Sequence, residues 1–113
     1  MSVDAEIEET DNWFISEKKD LLFTIDTTVD PSTWAIEWSL KPVDKLKDDA
    51  LIDKATPTGI TIDGTKKQAT VHILAADTSG LEPGKYFYTL KRMDAGSEQV
   101  LAFGGAVLRG GTL

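Results

Sequence analysis

Hydrophobic and polar residues alternate with a period of two in several short runs along this chain. The clearest run covers residues 34–41, where Trp34, Ile36, Trp38 and Leu40 alternate with small or polar residues. A period of two sends successive side chains to opposite faces, which is typical of a half-buried β-strand. We expect both tryptophans to point inward and to supply much of the core, since each buries about 150–250 Å2.

Further strands are predicted on both sides of this run. Alternating runs occupy residues 12–16, 21–26, 60–62, 69–73, 85–93 and 99–109. Residues 75–81 predict one turn of helix, with Leu81 packed against the core. Residues 43–53 fit a short helix, or a charged loop leading to a short strand at Leu51 and Ile52, and we favour the loop. About seven short strands separated by turns predict an all-β, immunoglobulin-like antiparallel β-sandwich.

Segments that contain glycine predict two hairpin turns and one irregularity within a strand. Asp63-Gly64 lies between two alternating runs and predicts a hairpin with a type I′ turn, in which both central residues have positive φ. The segment 94–97 predicts a second hairpin turn. Gly104-Gly105, inside the last run, predicts a bulge or a close approach by a neighbouring segment.

The 113 residues are enough for one domain of this kind. We divide the chain into an acidic N-terminal arm at residues 1–11, a β-sandwich domain at 12–109 and a flexible tail at 110–113. The first segment fits either a solvated terminus or an arm that binds a neighbouring subunit, and we favour the arm. Partner-binding residues are therefore expected at the start of the chain: Asp4, Glu6, Glu8, Glu9, Trp13 and Phe14.

Charge and composition narrow the classes of partner. The formal net charge is -7, whereas binding to nucleic acid requires a positive surface, so we expect no nucleic-acid partner. There is no cysteine, so the fold uses no disulfide. No apolar run approaches the roughly 20 residues that span a bilayer, and the start lacks the pattern of a secretory signal. We expect a protein made in a cytoplasm that leaves it, if at all, within an assembly.

The sequence offers little chemistry for catalysis. Its single histidine, His72, is predicted on the solvent face of a strand, and no Gly-x-Ser-x-Gly motif is present. We expect no enzymatic activity, no cofactor and no metal site. Loop carboxylates at one end of a sandwich would be the candidates for calcium, but they lack the spacing of a calcium loop: Asp26, Asp30, Asp63 and Asp94.

The segment Leu74–Arg92 reads LAADTSGLEPGKYFYTLKR. Its Leu-x-Ala-Asp-Thr followed by Leu-x-Pro-Gly-x-Tyr resembles a block in small immunoglobulin-like domains of tailed-bacteriophage virion proteins. The likeness covers roughly residues 12–109. It implies a structural part of a virion: a head decoration or minor capsid protein, a head–tail protein, or the N-terminal domain of an upper baseplate protein. The resemblance implies no catalytic residue.

We therefore expect a structural virion protein that binds and stabilises the phage head. No large module follows residue 109, which favours a stand-alone decoration or minor capsid protein over a baseplate protein. Its partners would be the major capsid protein or other virion proteins. The sequence is also compatible with a homo-oligomer. The alternatives are a tail or baseplate adaptor and a carbohydrate-binding module. Three phenylalanines would anchor a protein interface if they are exposed: Phe14, Phe87 and Phe103. Three tryptophans would stack on sugars if they are exposed: Trp13, Trp34 and Trp38. Any of these residues that is buried belongs to the core instead.

Overall fold

The computed structural model describes residues 13–42 and 50–110. These residues form seven strands and one helical turn. The elements are β1 (Lys19–Thr24), β2 (Ile36–Pro42), β3 (Ile52–Ala55), β4 (Ile60–Asp63), β5 (Gln68–Ile73), α1 (Ala75–Thr78), β6 (Gly84–Arg92) and β7 (Gln99–Leu108). The described helix is too short to cross a membrane.

The strands form two antiparallel sheets, which confirms the predicted all-β sandwich. One sheet has three strands in the order β1-β5-β4, and the other has four in the order β3-β2-β6-β7. This arrangement is immunoglobulin-like, and two further features agree with it. Trp38 is buried on β2, and the Tyr86 hydroxyl at the start of β6 donates to the backbone oxygen of Glu82. The second feature is a tyrosine corner, which ties β6 to the chain that enters it.

Aromatic rings form the centre of the core, between the two sheets. The alternating residues 34, 36, 38 and 40 are all buried, as the sequence predicts. The Trp38 ring lies 6.2 Å from that of Trp13 and 6.4 Å from that of Tyr88, and Tyr88 in turn lies 5.6 Å from Phe23 on the opposite sheet. Trp38 is completely buried, and the contact between Tyr88 and Phe23 joins the two sheets.

The prediction of a type I′ turn at Asp63-Gly64 is wrong. Asp63 pairs with Gln68, so four residues connect β4 and β5, and only Lys67 among them has positive φ, at 54°. The Asp63 carboxylate accepts hydrogen bonds from the backbone N–H groups of residues 65 and 66. A Cβ at Gly64 would lie 2.1 Å from an oxygen of Asp30. The glycine is required by close packing of two loops and not by its φ angle.

The paired glycines of β7 permit a close approach, while the bulge falls elsewhere. A Cβ at Gly104 would lie 3.1 Å from the ring of Tyr88, directly opposite on β6. The register shifts between Leu90 and Lys91, which pair with Ala102 and Val100. The extra residue is therefore Leu101, and it is buried together with Ala102. The bulge precedes the glycines and sends two consecutive β7 side chains inward.

Of the strand predicted at residues 12–16, the described part, residues 13–16, is not a regular strand. Among the described residues, this segment makes only an isolated parallel bridge between Phe14 and Arg109. Ser16 has positive φ, at 67°, and its N–H donates to the buried hydroxyl of Thr78, 2.8 Å away. These contacts turn the segment across the end of the sandwich and carry the Trp13 ring into the core.

Candidate protein-interaction surface

Among the described residues, one side of β7 is a free sheet edge from Phe103 to Val107. The Arg109 N–H donates to Trp13 at 2.9 Å, and the Arg109 oxygen accepts from Ile15 at 3.0 Å, so these groups point away from β6. Alternation along the strand points the same groups of Phe103, Gly105 and Val107 to that side as well. Within residues 13–42 and 50–110, no strand pairs with β7 there. Three residues thus offer backbone donors and acceptors to a further strand.

Apolar side chains extend from this edge over the outer face of the four-stranded sheet. Phe103 is 56% exposed and Val107 is 37% exposed. Phe87 on β6 is half-buried, lies opposite Gly105, and places its ring 6.2 Å from that of Phe103. We call the free edge from Phe103 to Val107, together with these three side chains, the β7 surface. Aromatic residues of this kind are enriched where proteins bind one another.

Charge distinguishes β7 from the other sheet edges. The ten residues of β7 include no Asp, Glu, Lys, Arg or His. The remaining edge strands among the described residues each carry charge: β1 has Lys19 and Asp20, β3 has Asp53 and Lys54, and β4 has Asp63. Charged side chains on an edge strand, lysine above all, prevent unwanted pairing with other chains. β7 alone lacks this protection.

A polar cluster fixes the hairpin at the start of β7. The Arg92 guanidinium lies 4.0 Å from the centre of the Trp34 ring and donates through Nε to Asp94 at 2.8 Å. The same Asp94 oxygen accepts from the N–H of Ala35 at 3.0 Å. The hydrogen bonds from Arg92 and Ala35 hold the pKa of Asp94 below its ordinary value. This cluster ties the β6–β7 turn to the entrance of β2.

A second polar arrangement crosses the outer face of the three-stranded sheet. His72 lies between Asp20, whose oxygen is 3.0 Å from Nδ1, and Thr61, whose hydroxyl is 2.9 Å from Nε2. Carboxylate, imidazole and hydroxyl stand in the order of a catalytic triad. However, the Asp20 and His72 side chains are 52% and 35% exposed, whereas a triad acts in a site shielded from water. We interpret the row as a cross-strand polar contact between β1, β5 and β4.

A third polar pair joins α1 to β3. Lys54 Nζ lies 2.7 Å from an oxygen of Asp77, and both side chains are largely buried. The same oxygen accepts from the N–H of Leu74 at 2.7 Å. Partial burial tends to raise the pKa of Asp77, but the hydrogen bonds from Lys54 and Leu74, with the Lys54 charge, outweigh it and lower that pKa. The pair therefore stabilises the fold when Asp77 is ionised.

The structure places few of the predicted contact residues on the surface. The Trp13 side chain is completely buried, because the turn at Ser16 directs its ring inward, and its role in partner binding stays a prediction. Phe14 is half-buried at the bridge to Arg109. The predicted acidic contact residues lie outside the described residues: Asp4, Glu6, Glu8 and Glu9.

The other candidates from the sequence have mixed outcomes. Trp34 and Trp38 are buried, so with Trp13 they form no exposed platform for sugars. The described acidic and histidine side chains do not cluster in a group that would hold a metal ion. Among the described residues, Phe103 is the aromatic residue with an exposed side chain. The sequence alone did not decide whether it belongs to the core or to an interface. Residues 43–49 lie outside the described residues, while the strand predicted at 51 and 52 is observed as β3.

Two comparisons with known proteins found no relative. No model of a protein family matches the sequence, and no curated protein matches it.

Proposed function

We propose that this chain is a structural protein of a tailed-bacteriophage virion, most simply a decoration or minor capsid protein that binds the head and stabilises it. The observation that carries the proposal is the β7 surface, a ten-residue strand without charge whose free edge and exposed rings suit protein contact. The activity would be adhesion: the domain adds contacts between neighbouring subunits and so resists expansion of the shell.

The local structure of the Leu74–Arg92 block supports the attribution to this class. The block forms α1, the turn at Pro83 and Gly84, and the central strand β6. Its Asp77 and Tyr86 make the contacts that hold those elements together, to Lys54 and Glu82. The likeness to the phage domains therefore involves residues that shape the fold, and the β7 surface adds the feature that suits assembly.

We further propose that the acidic residues before Trp13 contribute to attachment. Glu6, Glu8 and Glu9 precede the buried anchor at Trp13, which is fixed to the end of β7 through Arg109. The natural target of this acidic segment is a basic patch, and the attraction weakens as salt is added.

Binding to assembled shells tests the proposal. Purified protein is mixed with shells of the major capsid protein from the parent phage and sedimented, and the bound fraction is measured against salt. We expect saturable binding that falls when Glu6, Glu8 and Glu9 are changed together to Gln. A variant with Glu17 and Glu82 changed to Gln, both exposed, is the control and should bind like wild type.

Cryo-electron microscopy of the parent particle gives the location directly. Regular density for the sandwich on the outside of the head would support a decoration protein. Density confined to the tail or baseplate would contradict the head assignment and favour the adaptor. Absence of the protein from purified particles would reject a virion role altogether.

A further inference from the structure

We infer that a second copy of this chain binds the β7 surface, with the two β7 strands antiparallel and a two-fold axis at Gly105. The four-stranded sheets would then join into one continuous sheet across the dimer. This inference depends on one part of the proposed function, the assignment of the β7 surface to protein contact. It specifies a second copy of this chain as the partner at the β7 surface.

The spacing of residues along β7 makes the edge complementary to itself. Phe103 and Val107 lie two positions to either side of Gly105, and all three present backbone groups to the free edge. With Gly105 opposite Gly105, each Phe103 lies opposite the Val107 of the other copy. All three are then hydrogen-bonded pairs, each exchanging two N–H···O bonds. The same pairing covers the exposed ring and the exposed valine on both copies.

Charge also favours a second copy in this orientation. Each chain has a net charge of -7, so two copies repel one another at most surfaces. β7 is uncharged, with Glu98 before its first residue and Arg109 after its last. Antiparallel pairing directs the Glu98 end of one strand towards the Arg109 end of the other, whereas parallel pairing would place like ends together. A closed two-fold contact of this kind is also the commonest way for identical chains to associate.

Among the described residues, nothing crowds the outer face at the position of the axis. A Cβ built on Gly105 meets only the backbone oxygen of Tyr86, at 3.9 Å. Phe87 lies opposite Gly105 on β6, so its side chain is next to the axis on the outer face of the sheet. Nothing else in residues 13–42 and 50–110 covers the edge. No described residue prevents a strand from approaching this edge to hydrogen-bonding distance.

Sedimentation of the full chain tests the association. Wild type should sediment as a dimer, at twice the monomer mass of 12.3 kDa, with a concentration-dependent return to monomer. Val107→Lys places a charged lysine against Phe103 of the other copy in both halves of the pair and should raise the dissociation constant at least about tenfold. Ala55→Lys is the matched control: it adds the same charge on the opposite edge of the same sheet, where Ala55 is exposed. It should leave the dimer intact.

Single cysteines test the register, because the chain has no cysteine of its own. Residues facing one another in a hydrogen-bonded pair have Cα atoms about 5.5 Å apart, within the range of a disulfide. Gly105→Cys alone should therefore form a covalent dimer on mild oxidation. Phe103→Cys alone should not, but should cross-link when mixed with Val107→Cys. Ala55→Cys is the control and should stay monomeric on denaturing gels.

Each outcome decides the inference. A wild-type chain that stays monomeric at high concentration overturns it, and so does equal weakening by Val107→Lys and Ala55→Lys. Cross-linking at Gly105 no faster than at Ala55 also overturns it. A monomer that binds shells through β7, losing binding with Val107→Lys only, identifies the shell as the partner instead and leaves the proposed function standing. A dimer that ignores shells supports this inference and contradicts the proposed function.

Discussion

Adding one methyl group at Gly104 should destabilise the domain, whereas adding it at Gly105 should not. Gly104 lies opposite Tyr88, and a Cβ there would lie 3.1 Å from Cε2 of that ring and 3.2 Å from its hydroxyl oxygen. Tyr88 is 4% exposed and is held between Trp38 and Phe23. Because the ring has rigid neighbours on both sides, it cannot move away cheaply.

The magnitude follows from two opposing terms. Overpacking of a dense core costs about 1–3 kcal/mol. Replacing glycine by alanine restricts the unfolded chain and returns about 0.4–1 kcal/mol. Gly104→Ala should therefore lower the free energy of unfolding by about 0.5–2 kcal/mol, with a Tm decrease of about 4 °C per kcal/mol for a domain of this size. At Gly105 only the favourable term applies, since its nearest contact is 3.9 Å.

Urea denaturation followed by tryptophan fluorescence measures both variants. The two should be compared in a Val107→Lys background, so that association between copies does not contribute to the measured stability. We expect opposite signs at the two neighbouring glycines. A Gly104→Ala protein as stable as its parent would refute the close contact with Tyr88. A Gly105→Ala protein destabilised by the same amount would show that the difference in packing between the two positions is absent.

Three further predictions concern the core and its polar contacts. Trp38→Ala should cost about 3–5 kcal/mol in urea denaturation, because Trp38 is completely buried. Thr78→Val should cost about 1–3 kcal/mol, since it leaves the Ser16 N–H without its buried acceptor. Asp77→Asn should cost about 1–2 kcal/mol at neutral pH, because it leaves Lys54 unpaired. The lowered pKa of Asp77 means that its contribution is complete above the unfolded value of 3.8 and is lost as pH falls through the native value. Denaturation at about pH 6 and about pH 3 should therefore differ less in the variant.

The parts of the fold that depend on alternation could be predicted from the sequence. The alternate residues face the core as their period of two indicates: Trp34, Ile36, Trp38 and Leu40 on one run, and Tyr86, Tyr88 and Leu90 on the other. The helical turn at 75–78 was also predicted, since it is a short break between two clear strands. In these segments the burial of a side chain is decided by its own strand, so local pattern is sufficient.

Other features depend on segments far apart in the chain and were not predictable in the same way. From the sequence, Trp13 is expected to be an exposed residue near the terminus. In the structure its ring points inward, because the hydrogen bond from Ser16 to Thr78, 62 positions away, turns the chain. From the sequence, Gly64 is expected to be a type I′ turn residue. In the structure it is needed because Asp30 from another loop packs against it. The β7 surface was missed for a related reason: no local pattern shows which strand lies at an edge.

One signal in the sequence nevertheless pointed to that edge. Side chains on the solvent face of a strand do not pack in the core. A lysine in place of Val107 would therefore be accommodated there without loss of packing. The chain places charged residues on β1, β3 and β4 but none between Gln99 and Leu108. An apolar ring at Phe103 on such a face costs solubility and contributes little to folding. Its presence is therefore best explained by a contact outside the monomer, which is the contact that the Val107→Lys and Gly105→Cys experiments examine.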